Sequence, residues 1–230
     1  MKLATWNVNS LNVRLPHVLE WIAAEKPDVL CLQETKQEDA KFPYDALKEA
    51  GYNAIHSGQK TYNGVAILSP HAIENPAFGI PEFADEQKRV ISADINGIRI
   101  VCAYIPNGQS LESEKYQYKL NWLQALTDHL ASELQQYPRL ALLGDYNIAP
   151  EDRDVHDPKA WEGQVLVSEP EREAFRKLQA LGLHDSFRLF EQEEGSFSWW
   201  DYRMAGFRRN LGLRIDHILV SDALKDSCQR

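Results

Sequence analysis

The sequence predicts an α/β protein, with strands in the majority and helices on the outside. Three observations carry this. Seven short runs are rich in Val, Ile, Leu and aromatics, three segments space their apolar residues as helices do, and no repeat or low-complexity linker divides the 230 residues. A chain of this length suits one large domain better than two small ones, so residues 1–230 are expected to form a single domain.

The elements follow in order. Residues 2–8 read as a first strand that turns polar at Asn7, too early for a signal peptide. A helix is predicted over 12–25. Within 28–34, Val29-Leu30-Cys31-Leu32 is a continuous apolar run of the kind covered on both faces. Strands follow at 64–69, 89–95 and 98–105, the last two joined by the hairpin dipeptide Asn96-Gly97. Over 113–136, Tyr116, Leu120, Leu123, Leu126, Leu130 and Leu134 share one helical face. Leu140–Leu143 centre a buried strand over 139–146. Residues 149–168 hold Pro150, Pro158 and many charges, and read as a long functional loop. A helix over 170–181 follows Glu169-Pro170, and 214–220 is the last strand.

Hydrophobic residues at 43% and charged residues at 26% place the chain among ordinary globular proteins. No run approaches the roughly 18 apolar residues of a membrane helix, so no membrane partner is expected. Three cysteines cannot all pair within one chain. Cys31 and Cys102 sit in apolar runs as small hydrophobes, which points to a reducing cytoplasm. The net charge of −9 argues at first sight against nucleic acid. Carboxylates gathered on a cation would inflate that count, however. A basic rim of Arg203, Arg208, Arg209 and Arg214, with Lys60 and Arg89 elsewhere, could still hold phosphates.

The strand ends carry the chemistry. Leu142-Leu143-Gly144 runs into Asp145 and Asn147, two residues apart and so on one face of an extended backbone. Leu3–Trp6 runs into Asn7 and Asn9, Val29–Leu32 into Gln33 and Glu34, and Leu213-Arg214-Ile215 into Asp216. An unpaired carboxylate beside apolar strands costs several kcal/mol or shifts its pKa. Several converging would repel one another unless a hard cation sat among them. Each position also has a plainer reading: Gln33-Glu34-Thr35-Lys36 as a surface loop, Asp145–Asn147 as a turn, Tyr104 as strand-end packing. Phe197, Trp199, Trp200 and Tyr202 are equally consistent with core packing and with stacking on bases.

Four segments together resemble the exonuclease III family of DNA-repair nucleases, within the endonuclease/exonuclease/phosphatase superfamily. They are Thr5-Trp6-Asn7-Val8-Asn9, Leu32-Gln33-Glu34-Thr35-Lys36, Gly144–Pro150 and Gly212-Leu213-Arg214-Ile215-Asp216. Gly58-Gln59-Lys60 with Gly64-Val65-Ala66, and Phe197–Arg203, fit the same family in the same order.

The resemblance implies a four-layer α/β sandwich of two packed mixed sheets flanked by helices. It implies Mg²⁺, with Mn²⁺ as a substitute, on Glu34 and Asn7. Asp145 would act as general base or general acid, Asn147 as donor to a phosphate oxygen, and Tyr104 and Asp216 as further catalytic groups. Asn9, Asn107, Trp199, Trp200, Arg203, Arg208 and Arg209 would contact substrate, and His217, on the opposite face of its strand from Asp216, is structural. The implied partner is double-stranded DNA with abasic sites or damaged 3′ ends, bound by a monomer. Rival readings are a phosphatase of the same superfamily acting on inositol polyphosphates or phospholipids, and a non-catalytic DNA-binding form.

The chain departs from the family at one point. The family closes on a Ser-Asp-His motif in a last strand, and this sequence stops at Cys228-Gln229-Arg230. A truncated chain lacking that strand is the expectation, hydrolytically weak as written.

Overall fold

The computed structural model describes residues 1–229. In chain order the elements are β1 (Leu3–Asn7), α1 (Leu11–Glu25), β2 (Val29–Gln33), α2 (Tyr44–Glu49), β3 (Asn53–Ser57), β4 (Val65–Ser69), β5 (Glu74–Phe78), β6 (Val90–Ile95), β7 (Ile98–Tyr104), α3 (Glu114–Gln136), β8 (Leu140–Asp145), α4 (Pro158–Trp161), α5 (Glu169–Ala180), β9 (Leu183–Asp185), β10 (Trp199–Trp200), β11 (Gly212–Leu213), β12 (Asp216–Ser221) and α6 (Asp222–Lys225). The predicted strands and helices are all present, with ends displaced by at most two residues. Five strands were not expected. β5 carries Glu, Asn and Pro and is exposed throughout, β3 is half polar, and β9 to β11 are two or three residues long.

The chain forms two compact units. The first comprises Met1–Tyr104 and Tyr137–Asp145; the second comprises Ile105–Gln136 and the chain from Tyr146 onward. In the first unit, one sheet has the order β1-β2-β4-β3, with β1 and β2 parallel and the other pairs antiparallel. A second sheet runs β5-β6-β7-β8, antiparallel except for the parallel pair β7 and β8. The sheets pack face to face, β1 on β8, β2 on β7 and β4 on β6.

This packing explains the continuous apolar runs. In β2, Leu30 and Leu32 face outward against Val18, Ile22 and Leu47 of α1 and α2. Gln33 lies buried between the sheets, its amide donating to Thr5 Oγ1 at 2.9 Å and to Cys102 Sγ at 3.3 Å. A strand covered on both faces needs no alternation. β7 and β8 approach so closely that a Cβ on Gly144 would lie 1.8 Å from the Ala103 carbonyl oxygen. At the β6–β7 hairpin, Asn96 and Gly97 take φ of 49° and 74°, as a two-residue turn requires. The architecture is mixed α/β, two mixed sheets with helices outside, as the resemblance implied.

In the second unit α3 packs on α5, and β9 with β12 and β10 with β11 form antiparallel pairs. Ala149, Val155, Leu166, Leu213 and Ile215 form one apolar cluster. Tyr146, Phe175 and His217 pack their rings together at 5.0–5.8 Å between centroids. The free thiols of Cys31 and Cys102 are buried, as expected of small hydrophobes. No helix among the described residues is long and apolar enough to cross a membrane.

Candidate active site

In the first unit the site residues stand at the carboxyl ends of the two parallel strand pairs. Asn7 closes β1 opposite Gln33 at the end of β2, and Tyr104 closes β7 opposite Asp145 at the end of β8. Asn7 is the hub. Its Nδ2 donates to Glu34 Oε1 at 2.9 Å and to Asp145 Oδ2 at 2.8 Å, so one amide nitrogen fixes both carboxylates. Its Oδ1 accepts the Asn9 backbone N–H at 3.0 Å. Lys36 Nζ lies 2.9 Å from Glu34 Oε2 and donates to Asn9 Oδ1 at 2.6 Å.

The backbone here is forced into shape. Asn9, Ser10, Glu34 and Lys36 all have positive φ, between 42° and 83°. Side-chain-bearing residues take that conformation at a cost and hold it only when their surroundings over-determine it. The surroundings do so. Ser10 N donates to Glu34 O at 2.7 Å, Leu11 N to Thr35 O at 3.0 Å, and Lys36 N to Asn63 O at 2.9 Å, clamping the turn from both sides. His56 Nε2 meets Thr35 Oγ1 at 2.8 Å, and a Cβ on Gly64 would strike that same oxygen at 2.1 Å.

Electrostatics give each group a state. Burial pushes the Glu34 carboxyl up, but the hydrogen bond from Asn7 and the Lys36 ammonium outweigh it and hold the group below its ordinary value. Glu34 is therefore ionised at neutral pH. Tyr104 moves the other way. Burial, reinforced by the charges of Glu34 and Asp145, drives its phenol well above the usual range despite Arg89 beside it. Tyr104 is therefore protonated at neutral pH and acts as a hydrogen-bond donor.

The donor set suits a hard divalent cation. The carboxylate oxygens of Glu34 and Asp145, with no thiolate or imidazole beside them, suit an ion such as Mg²⁺, which keeps several waters and needs only one or two carboxylates. Among the described residues no cluster of three or more His, Cys, Asp or Glu side chains is present. The Lys36 ammonium shows that positive charge is stabilised at Glu34.

In the second unit, Asn147 is buried and takes φ 49°, past the end of β8. The strand alternation expected to put Asp145 and Asn147 on one face stops at Asp145, because Asn147 is left-handed rather than extended. Its Oδ1 accepts from Asn107 Nδ2 at 3.0 Å, and its Nδ2 donates to Ile105 O at 3.0 Å. Asp216 opens β12 and accepts the Ser198 hydroxyl at 2.7 Å; that hydroxyl oxygen accepts the backbone N–H groups of Ile215 and Asp216.

The aromatic segment is partly packed and partly exposed. Trp199 is partly buried against the apolar cluster. Trp200 donates through Nε1 to Asn210 Oδ1 at 3.0 Å and meets Phe207 edge-on at 5.0 Å. Tyr202, Met204 and Phe207 are exposed, as are Arg203, Arg208 and Arg209. Arg203 is paired with Asp201 through Nε at 2.9 and 3.0 Å.

Arg214, expected on the basic rim, is buried, and so is Arg89, expected as a phosphate-holding cation elsewhere. Arg89 is 9% exposed, donates to Gln87 and the Tyr104 carbonyl, and lies 4.6 Å over the Tyr104 ring. Arg214 is buried between Asp154 and Asp185, with Nε 2.7 Å from Asp154 Oδ1 and Nη2 2.8 Å from Asp185 Oδ2. Sequence alone groups Arg214 with the exposed arginines because it does not register the buried acids it faces.

His217 is structural, as expected. Arg214 Nη1 donates to its Nδ1 at 2.9 Å, which leaves Nε2–H to donate to the Ile148 carbonyl at 2.8 Å. Burial, aided by the Arg214 charge, pushes its pKa down to about 4. Below the unfolded value near 6.5 the unfolded chain takes a proton that the folded chain refuses. Stability is thus complete above pH ~6.5 and falls as pH drops towards 4, by about 3 kcal/mol from this group. Urea midpoints measured from pH 7.5 to 4.5 should decline, and less steeply in H217Q. A profile of equal slope in both proteins would exclude the assignment.

A profile of the endonuclease/exonuclease/phosphatase family matches residues 4–229. Exodeoxyribonuclease III of Haemophilus influenzae is 38% identical over 242 residues, covering 99% of this chain and 90% of that protein. The 3′-5′ exonuclease NExo of Neisseria meningitidis superposes with a TM-score of 0.98 at 48% identity, covering 100% of this chain and 90% of that one. A structure of an AP endonuclease from Archaeoglobus fulgidus superposes with a TM-score of 0.96 at 40% identity, covering 100% and 90%. With that breadth of match added to the strand-end carboxylates, the chain belongs to the endonuclease/exonuclease/phosphatase family and, within it, to the exonuclease III group of nucleases.

Proposed function

We propose that this chain acts as one endonuclease/exonuclease/phosphatase domain, a Mg²⁺-dependent DNA-repair nuclease hydrolysing phosphate esters of duplex DNA at abasic sites and 3′ ends. Mn²⁺ is expected to substitute. The observation that carries the reading is the pair of carboxylates, Glu34 and Asp145, fixed on one Asn7 nitrogen at the ends of parallel strands. The H. influenzae relative is an exodeoxyribonuclease, and a Neisseria 3′ phosphatase of 48% identity has been solved with a product DNA hairpin; both support a DNA substrate.

Glu34 would hold the cation, and Asn7 would ligate it through its amide oxygen or set the spacing of the carboxylates. Bound there, the ion would draw negative charge from the phosphate as a Lewis acid. The protein's own groups do the rest. Asp145 accepts a proton from the attacking water or delivers one to the departing oxygen. Tyr104, held protonated, donates to a phosphate oxygen. Asn147 does likewise, in the manner of an oxyanion hole, with Asn107 and Asn9 orienting the substrate and Asp216 as a further acid. Trp199 and Trp200 contact the sugar and base, and Arg203, Arg208 and Arg209 the backbone phosphates. The protein is proposed to work as a monomer in the cytoplasm, where its three free thiols would stay reduced.

The test is competition. Protein stripped with EDTA and reloaded with Mg²⁺ is given duplexes carrying an abasic site, a 3′ phosphate or a recessed 3′ end, each with and without inositol hexakisphosphate. Hydrolysis of DNA that the inositol phosphate does not suppress is the expected result. Turnover of the inositol phosphate in preference to every duplex would overturn the proposal, as would intact DNA at all Mg²⁺ and Mn²⁺ concentrations.

A further inference from the structure

Lys119 is a lysine without access to water. It lies on the buried stripe of α3 with Tyr116, Leu123 and Leu126. Its ammonium meets Glu171 Oε1 at 2.5 Å, the Asn147 carbonyl at 2.6 Å and the Asn107 carbonyl at 3.2 Å. Glu171, equally buried, also accepts from Leu166 N at 3.1 Å, Ser168 N at 3.1 Å and Ser168 Oγ at 2.6 Å.

A buried ion pair is a poor way to gain stability, because desolvating both charges offsets most of their attraction and apolar residues often serve as well. The geometry offers another reason for this one. The carbonyls that Lys119 holds belong to Asn107 and Asn147, whose side chains are themselves joined at 3.0 Å. Asn147 sits at φ 49°, a conformation that must be held by its neighbours. The chain beyond it is tied to the same pair. Leu166 is also left-handed at φ 79°; its N–H goes to Glu171 and its carbonyl accepts from Ala149 N at 2.8 Å.

We infer that Lys119 is a positioning residue for phosphate hydrolysis. Its ammonium, neutralised by Glu171, pins the main chain of Asn107 and Asn147 and so sets the direction of the Asn147 amide. The inference rests on the nuclease reading above, in which that amide donates to phosphate.

The experiment removes both charges together, so that neither is left buried alone. K119M/E171Q is assayed well below its melting temperature, with K119R as the variant that keeps the cation. A misplaced donor lowers kcat by about 10- to 100-fold, with KM changed by less than about threefold and partial recovery in K119R. In an N147A background the same double substitution should cost less than about twofold, because the group it positions is gone. Independently of turnover, the Asn147 side-chain NH₂ resonances should shift in K119M/E171Q. Unchanged kcat, an equal loss in the N147A background, or unmoved Asn147 resonances would each overturn the inference. Were the wild type to hydrolyse no DNA, the nuclease reading would fall, and the resonance measurement would still decide whether Lys119 sets the Asn147 amide.

Discussion

Glu34→Gln is expected to lower kcat/KM on abasic duplex by roughly 10²- to 10³-fold, the scale on which one group stabilising transition-state charge acts. The substitution is nearly isosteric, so the left-handed turn at Glu34 and its clamps at Ser10, Thr35 and Lys36 should survive. What disappears is the charge. Glu34 is ionised at neutral pH because Asn7 and Lys36 outweigh the effect of burial, so the neutral amide removes a full unit of attraction for a cation. The Mg²⁺ concentration giving half-maximal rate should therefore rise by at least about tenfold.

Binding of duplex without metal should be retained, since one negative charge fewer eases the approach of phosphate. Wild-type metal dependence and rate in E34Q would remove Glu34 from the cation site and leave the strand-end cluster without its chemistry.

The long buried strands and the three main helices were legible because each is a run or a period long enough to outweigh noise. β2, β4, β7 and β8 are apolar on both faces, which follows from packing between a second sheet and, for β2, helices outside. Asn7, Glu34 and Asp145 could be picked out because polar residues ending such runs are anomalous, whereas Tyr104 reads as packing until the resemblance singles it out. The resemblance then gave those anomalies a chemistry.

What stayed hidden depends on contacts between distant residues. Nothing in Glu82 or Ser10 announces a left-handed backbone, and tertiary hydrogen bonds enforce it at Ser10. Lys119 falls at helical spacing from Tyr116, Leu123 and Leu126, yet a lysine on an apolar stripe reads as an irregularity until Glu171 is found facing it. A partial signal did exist, because Ser168 and Glu171 have the spacing of a capping box, and they form one. The arginines were the clearest loss, since Arg208 and Arg214 look alike in sequence and only one of them is exposed.

Arg214→Met is the substitution expected to cost the most stability. Asp154, with no exposure, and Asp185, 6% exposed, both face the Arg214 guanidinium, which also lies 5.0 Å over the Phe187 ring and donates to His217. Burial pushes the Asp154 carboxyl up, but the hydrogen bond and charge of Arg214, with Arg188 adding to them, hold it below its ordinary value. Methionine fills similar volume and supplies none of that. Arg188 stays on Asp154, while Asp185 loses the guanidinium it faces.

Removing one partner from such a network costs about 3–5 kcal/mol, a large share of the roughly 5–15 kcal/mol by which a domain is stable. At about 2–4 °C per kcal/mol for a chain of this size, melting should fall on the order of 10 °C. R214M/D154N/D185N should recover part of the loss, because carboxamides tolerate burial without a counter-charge. Equal melting temperatures in R214M and wild type would mean that water or rearrangement compensates both acids. The backbone that leads into Asn147 has a stake in the outcome: Tyr146 N donates to Ile215 O, and the His217 ring that Arg214 orients donates to Ile148 O. A loosened Arg214 network should therefore reach the residues on either side of the Asn147 amide before the unit unfolds.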